Sequence, residues 1–149
     1  MTVLHETIQI EQSPEAAFDA VADFSSAEGW DPGVLSAERV QEGEGDPSGV
    51  GARYRLTVSF RGSRSEMIYV TTEYVRPKRV VLQGEGPRLT ARDTIEFEAA
   101  GDGGTRVVYE ADLRLKGVAK LAEPALKGAF GEMGKKALAG MQTWFAQRV

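Results

Sequence analysis

The chain has 149 residues, 42% hydrophobic and 27% charged, with a formal charge of −4, one histidine and no cysteine. A single domain over residues 1–149 is expected, since a chain of this length buries about 70% of its unfolded surface. These counts exclude disulfides, thiolate zinc sites, cysteine nucleophiles and a general nucleic-acid binder, and a triad or metal site has no parts unless His5 is central.

Residues Thr2 to Glu11 alternate, with Leu4, Ile8 and Ile10 on one parity, which predicts a first strand with one buried face. Glu6 shares that apolar parity and sits either at a frayed start or as a carboxylate looking inward; the frayed start is the simpler expectation. Ser13-Pro14 opens a helix, since serine caps a free amide and proline loses no hydrogen bond at the first helical position. Ala17, Phe18, Val21 and Ala22 form its apolar face. A second short helix is expected within residues 23–29, stopped by Gly29. Pro32 then forces Asp31 out of helical geometry.

Six strands follow. Val34 to Gln41 is the first of them, with its inward parity ambiguous. The glycine-rich link from Glu42 to Gly51 has neither a GxGxxG nor a Walker pattern leading into a helix, so its glycines mark turns. Arg53 to Phe60 alternates cleanly, and Gly62-Ser63 is expected to turn the chain into a strand from Ser65 to Val75. Pro77 ends that strand, and Arg79 to Gly84 forms the next. Leu89, Ala91, Asp93, Ile95 and Phe97 share one side of a further strand. After the Gly101–Gly104 hairpin, Val107, Tyr109, Ala111, Leu113 and Leu115 share the inward side of the last.

The chain ends in a long amphipathic helix expected to start near Glu123. Leu126, Phe130, Met133, Ala137, Met141 and Trp144 recur at spacings of three and four, a stripe that must bury itself against the sheet. From Lys116 onward the chain carries +4 and the remainder −8. The lysines spread over the half opposite the stripe, the ordinary pattern of a solvated face rather than a membrane-lying helix. No apolar run approaches the roughly 18 residues of a membrane span, and the N-terminus lacks a signal-peptide layout. A cytoplasmic protein without stable membrane insertion, monomeric or homodimeric, is therefore expected.

Four phrases fall in a telling order: Ile8-Gln9-Ile10 before Ser13-Pro14-Glu15-Ala16-Ala17-Phe18, then Trp30-Asp31-Pro32, Gly49-Val50-Gly51, and Asp102-Gly103-Gly104-Thr105-Arg106-Val107-Val108-Tyr109. In these the chain resembles the START-like (SRPBCC) superfamily, in particular its polyketide cyclase/dehydrase branch. Where many relatives carry a second aromatic shortly before Trp30, this chain has Ser26-Ala27-Glu28. The resemblance implies an α+β helix-grip fold: a seven-stranded curved antiparallel sheet wrapped around the C-terminal helix, with two short helices between the first two strands. It also implies a cavity between sheet and helix for a small apolar ligand such as a lipid, polyketide or isoprenoid; a minority of relatives catalyse cyclisation and aromatisation. None of their catalytic residues transfers to a position here.

The inward parities supply the candidate ligand-binding wall: Tyr54, Leu56, Val58, Met67, Tyr69, Asp93, Ile95, Tyr109 and Ala111 from the strands, Phe130, Met133 and Ala137 from the helix, and Trp30 at the cavity mouth. Aromatic bodies with hydroxyl tips suit a concave apolar site, whereas in a filled core each tyrosine merely reaches a backbone carbonyl. Asp93 is the one inward acid in the middle of a strand. With Tyr109 it is the candidate for proton transfer, unless it pairs, sits at a wet rim or turns outward at a bulge. Gly128, Gly131, Gly134 and Gly140 each weaken the helix by about 1 kcal/mol relative to alanine. Gly134 and Gly140 flank the apolar stripe, for close approach or for ligand room, and the loosened helix is expected to act as a lid. No metal and no cofactor is expected. Binding module, cyclase-type enzyme and protein-interaction domain with a filled core remain the three readings.

Overall fold

A strand whose side chains alternate in polarity must bury one face, as Leu89–Ala99 of the seven strands does most plainly, with Ala91, Asp93, Ile95 and Phe97 buried. The computed structural model, which describes residues 1–148, forms β1 (Thr2–Ile10), β2 (Val34–Gln41), β3 (Arg53–Phe60), β4 (Ser63–Val75), β5 (Arg79–Glu85), β6 (Leu89–Ala99) and β7 (Thr105–Leu115). Each is antiparallel to its neighbours in the order β1-β7-β6-β5-β4-β3-β2. The β3–β4 turn is Arg61-Gly62, one residue earlier than the sequence suggests. Both residues take positive φ (52° and 84°), as a tight hairpin of this hand requires.

Between β1 and β2 lie α1 (Pro14–Ala22) and, after a 3-10 turn over Phe24–Ser26, α2 (Ala27–Trp30). Ser13 caps α1 by accepting the Ala16 amide at 3.2 Å, and α1 buries Ala17, Phe18, Val21 and Ala22. Gly29 does not stop α2, which runs on through Trp30. Instead Gly29 lies under an indole: a Cβ there would stand 2.8 Å from Trp144 Nε1. The stop comes at Asp31, which the following proline holds extended (φ −102°, ψ 111°).

A 3-10 turn over Gly117–Ala122 leads into α3 (Glu123–Ala146). The helix buries Phe130, Ala137, Leu138, Met141 and Phe145. Leu138 and Phe145 thus join the buried stripe, while Trp144 stays half-buried at its edge, packed against Phe145 and beneath the Arg148 guanidinium. The stripe broadens because the C-terminal half of α3 is packed on two sides. Gln142 Nε2 donates to the β1 carbonyl of Gln9 at 3.0 Å, and Gly140 presses on α2, where a Cβ would come within 2.1 Å of the Trp30 carbonyl oxygen. Gly140 therefore serves close approach. Gly134 leaves only the distance an ordinary side chain could tighten into, 3.2 Å from Leu4, and Gly128 and Gly131 face open space. Among the described residues no helix is long and apolar enough to cross a membrane.

Candidate functional site

The N-terminal half of α3 does not seat fully on the sheet. A cavity of about 400 Å³ remains between them, walled by Leu56, Val58 and Phe60 of β3, Met67 and Tyr69 of β4, Leu113 and Leu115 of β7, and Leu126, Phe130 and Met133 of α3. The filled core expected of a pure interaction domain is thus not what this fold contains. At roughly 30 Å³ per liquid water, the volume equals that of about 13 waters, within the size range of small-molecule sites. A larger recess of about 760 Å³ lies on the outer surface, away from Asp93 and Tyr109, among Met1, Arg114, Lys116, Lys120 and Glu123.

Glycines in β5 and its turn shape the cavity floor. A Cβ on Gly84 would fall 2.6 Å from the Tyr69 ring, and one on Gly86 would fall 2.3 Å from Met67 Sδ. Tyr69 and Met67 can therefore lie flat across these positions, leaving the space above them open. On the helix side Phe60 stacks on Phe130 at 4.9 Å between ring centroids, closing the roof.

The inner end is polar. Asp93 faces Ala111 across the β6–β7 ladder, so Tyr109, two residues along β7, lies on the diagonal within reach of its carboxylate. The Tyr109 hydroxyl donates to Asp93 Oδ2. Asp93 is 5% exposed, and its Oδ1 is buried without a partner. Burial raises the Asp93 pKa to about 7, against the Tyr109 hydrogen bond that favours the carboxylate; the nearby charge of Asp31 raises it further. Asp31, also at this end, is itself pushed up by burial, although its Oδ1 accepts the Gly33 amide at 2.8 Å. Burial first, then the charge of Asp93, lifts the hydroxyls of Tyr69 and Tyr109 well above the usual phenol range, so both remain protonated donors. The site thus offers an acid able to exchange a proton near neutral pH, beside two tyrosine hydroxyls that keep theirs.

A smaller extension of about 90 Å³ continues past Asp93 and Tyr109 toward β1, where it meets Glu6, Ala111 and Ala137. Glu6 is therefore not at a frayed end: it lies mid-strand, opposite Tyr109, with its side chain turned inward. The acid at Asp93 is likewise inward, not rotated out by a bulge.

Of the thirteen wall residues expected from the sequence, Leu56, Val58, Met67, Tyr69, Asp93, Tyr109, Phe130 and Met133 border the main cavity, and Ala111 and Ala137 the extension. Three stand behind the wall. Tyr54 is fully buried and donates to the α1 carbonyl of Ala22 at 3.3 Å, the core role open to any inward tyrosine. Ile95 is fully buried beside Tyr109 in the ladder. Trp30 lies at the inner end rather than the mouth: its indole donates to Ser26 Oγ at 3.1 Å and meets the Tyr109 ring edge-on at 6.1 Å, holding that ring in place. Besides the wall residues Phe60, Leu113, Leu115 and Leu126, the sequence reading missed Asp31, read only for its place before a proline, and Arg61, Arg64 and Arg88, which rim the mouth from the β3–β4 turn, the start of β4 and the β5–β6 turn. No periodicity marks turn residues, so only tertiary structure brings these together.

The sequence profile of the family described as polyketide cyclase / dehydrase and lipid transport matches residues 1–145. Among solved structures, a START superfamily protein from Mycobacterium smegmatis superposes with a TM-score of 0.85 at 15% identity, covering 100% of both chains. A protein from Thermus thermophilus does so at 0.82 and 19% identity, covering 98% of each. The Zhui aromatase/cyclase from Streptomyces sp. R1128 gives 0.75 at 11% identity, covering 98% of this chain and 92% of its own. At these identities the likeness is one of fold. No curated protein sequence matches the chain.

Proposed function

The chain belongs to the polyketide cyclase / dehydrase and lipid transport family, and from that premise we propose that it is a binding module enclosing one small, mostly apolar molecule of polyketide, lipid or isoprenoid type. The observation that carries this reading is the 400 Å³ cavity between α3 and the sheet, with its aliphatic and aromatic wall. Burying apolar ligand surface there yields roughly 25 cal/mol per Å² before the costs of association. On the same reading the protein is cytoplasmic, with a small ligand as its partner. Mass spectrometry under non-denaturing conditions, on protein purified from its own source, is expected to show a discrete adduct released on unfolding. Bare polypeptide that also fails to bind any apolar probe would overturn the proposal.

One observation favours a second reading, a cyclase or aromatase: the buried Asp93–Tyr109 pair at the inner end. A carboxyl near its midpoint at neutral pH can take and return an enol proton, while the cavity shape orders the substrate. If turnover exists, Asp93→Asn and Tyr109→Phe abolish it while the adduct is retained. Loss of the adduct in both variants with no turnover in the parent would return the pair to a binding role.

A further inference from the structure

The cavity has two chemically opposite ends. At the inner end stand Asp93, with one carboxylate oxygen lacking any partner, and the hydroxyl of Tyr69, beneath the half-buried Asp31. At the mouth stand three exposed arginines, Arg61 in the β3–β4 turn, Arg64 at the start of β4 and Arg88 in the β5–β6 turn. Among the described residues none of the three forms an ion pair, although the chain carries a net charge of −4 and Arg55, Arg79 and Arg106 of the sheet each pair with a glutamate on a neighbouring strand. Between the ends the wall is apolar.

A buried oxygen without a partner costs more than it returns unless something donates to it. An anion at the inner end would meet Asp31 and Asp93 and be repelled. An apolar tip would leave Asp93 Oδ1 unsatisfied. A hydroxyl fits, because it donates to Asp93 and accepts from Tyr69. At the mouth the guanidinium forks suit a carboxylate or similar anion. Resting on the binding function above, we propose that the cavity takes a bipolar ligand: a compact apolar body whose inward end carries a hydroxyl, received by Asp93 and Tyr69, and whose outward end carries an anionic group, held by Arg61, Arg64 and Arg88. This polarity disfavours a fatty acid entering carboxylate first, and the volume leaves no room for a two-chain lipid.

Isothermal titration with four naphthalene probes sharing one apolar body tests it: 6-hydroxy-2-naphthoate, 6-methoxy-2-naphthoate, 2-naphthoate and 2-naphthol. The hydroxy-naphthoate is expected to bind tightest. Blocking or deleting its hydroxyl is expected to weaken binding about tenfold or more, the effect of leaving the buried Asp93 oxygen without a partner. In Asp93→Asn the hydroxy and methoxy forms are expected to converge. In the triple variant Arg61→Ala, Arg64→Ala, Arg88→Ala the naphthoates are expected to lose affinity while 2-naphthol does not, and the fall of naphthoate affinity with added salt is expected to flatten. The triple variant alters exposed turn residues, and the four-probe comparison in the unaltered protein needs no variant at all. Equal affinity for all four probes would overturn the bipolar ligand and leave the binding module standing. Binding of none would overturn both.

Discussion

Replacing Asp93 by asparagine isolates the cost of a carboxyl buried against its charge. In the folded chain its pKa stands at about 7 against an ordinary 3.8, so between those values the folded state holds a proton that the unfolded state has released. Stability is therefore full below about pH 4, declines as pH rises, and reaches its lowest level above pH 7. At 1.36 kcal/mol per unit, the span from 3.8 to about 7 corresponds to roughly 4 kcal/mol at pH 8. Asp31, also raised, adds in the same direction, while the lowered Asp19 and Glu123 act only below about pH 5, where their unfolded carboxyls take up protons. With a residue 5% exposed, solvent screening removes little of this. For a chain of about 150 residues each kcal/mol moves the melting temperature by about 2–4 °C. Denaturant and thermal unfolding measured from pH 5 to pH 9 should show the parent losing on the order of 10 °C. Asp93→Asn, whose amide oxygen still accepts from Tyr109, should show most of that slope removed and should be the more stable protein at pH 8. An identical pH slope in parent and variant would refute the argument that this carboxyl is buried against its charge.

The helix glycines give predictions of opposite sign. Gly128→Ala and Gly131→Ala face open space and should stabilise by up to about 1 kcal/mol each, whereas Gly140→Ala drives a methyl into the Trp30 carbonyl and should destabilise by about 1–3 kcal/mol despite better helix propensity; chemical denaturation reads both, and a stabilised Gly140→Ala would contradict the packing. As a lid, α3 should exchange its amide hydrogens across Gly128 to Gly134 faster than β6 and β7 do, and equal protection would count against that role. Gly84→Ala should lift the Tyr69 ring off β5 into the cavity, lowering apolar-probe affinity with little change in the fold's circular dichroism; unchanged affinity would mean the floor is not where Tyr69 lies.

Much of this architecture is legible in the sequence because strand alternation is local. Leu56, Val58, Met67 and Tyr69 reveal their inward side by parity alone, and Asp93 stands out as an acid on an apolar row. What parity cannot say is how deep an inward residue sits. Tyr54 and Tyr69 read alike, yet one reaches a helix-end carbonyl and the other borders the cavity, a difference set by where α1 ends. An inward acid near a terminus ordinarily frays, which hides Glu6 from a sequence reading; the β1–β7 register holds it instead beside Tyr109. Trp144 and Phe145 exchange roles because α2 presses on α3 through Gly29 and Gly140, a contact no helical period records.

The central claim is that α3 and the sheet leave a hollow with an apolar wall. Diffraction from crystals pressurised with xenon addresses it directly, since xenon enters apolar cavities and little else. The account predicts xenon density among Leu56, Met67 and Phe130. Side chains filling that space, with no xenon beneath α3, would contradict it.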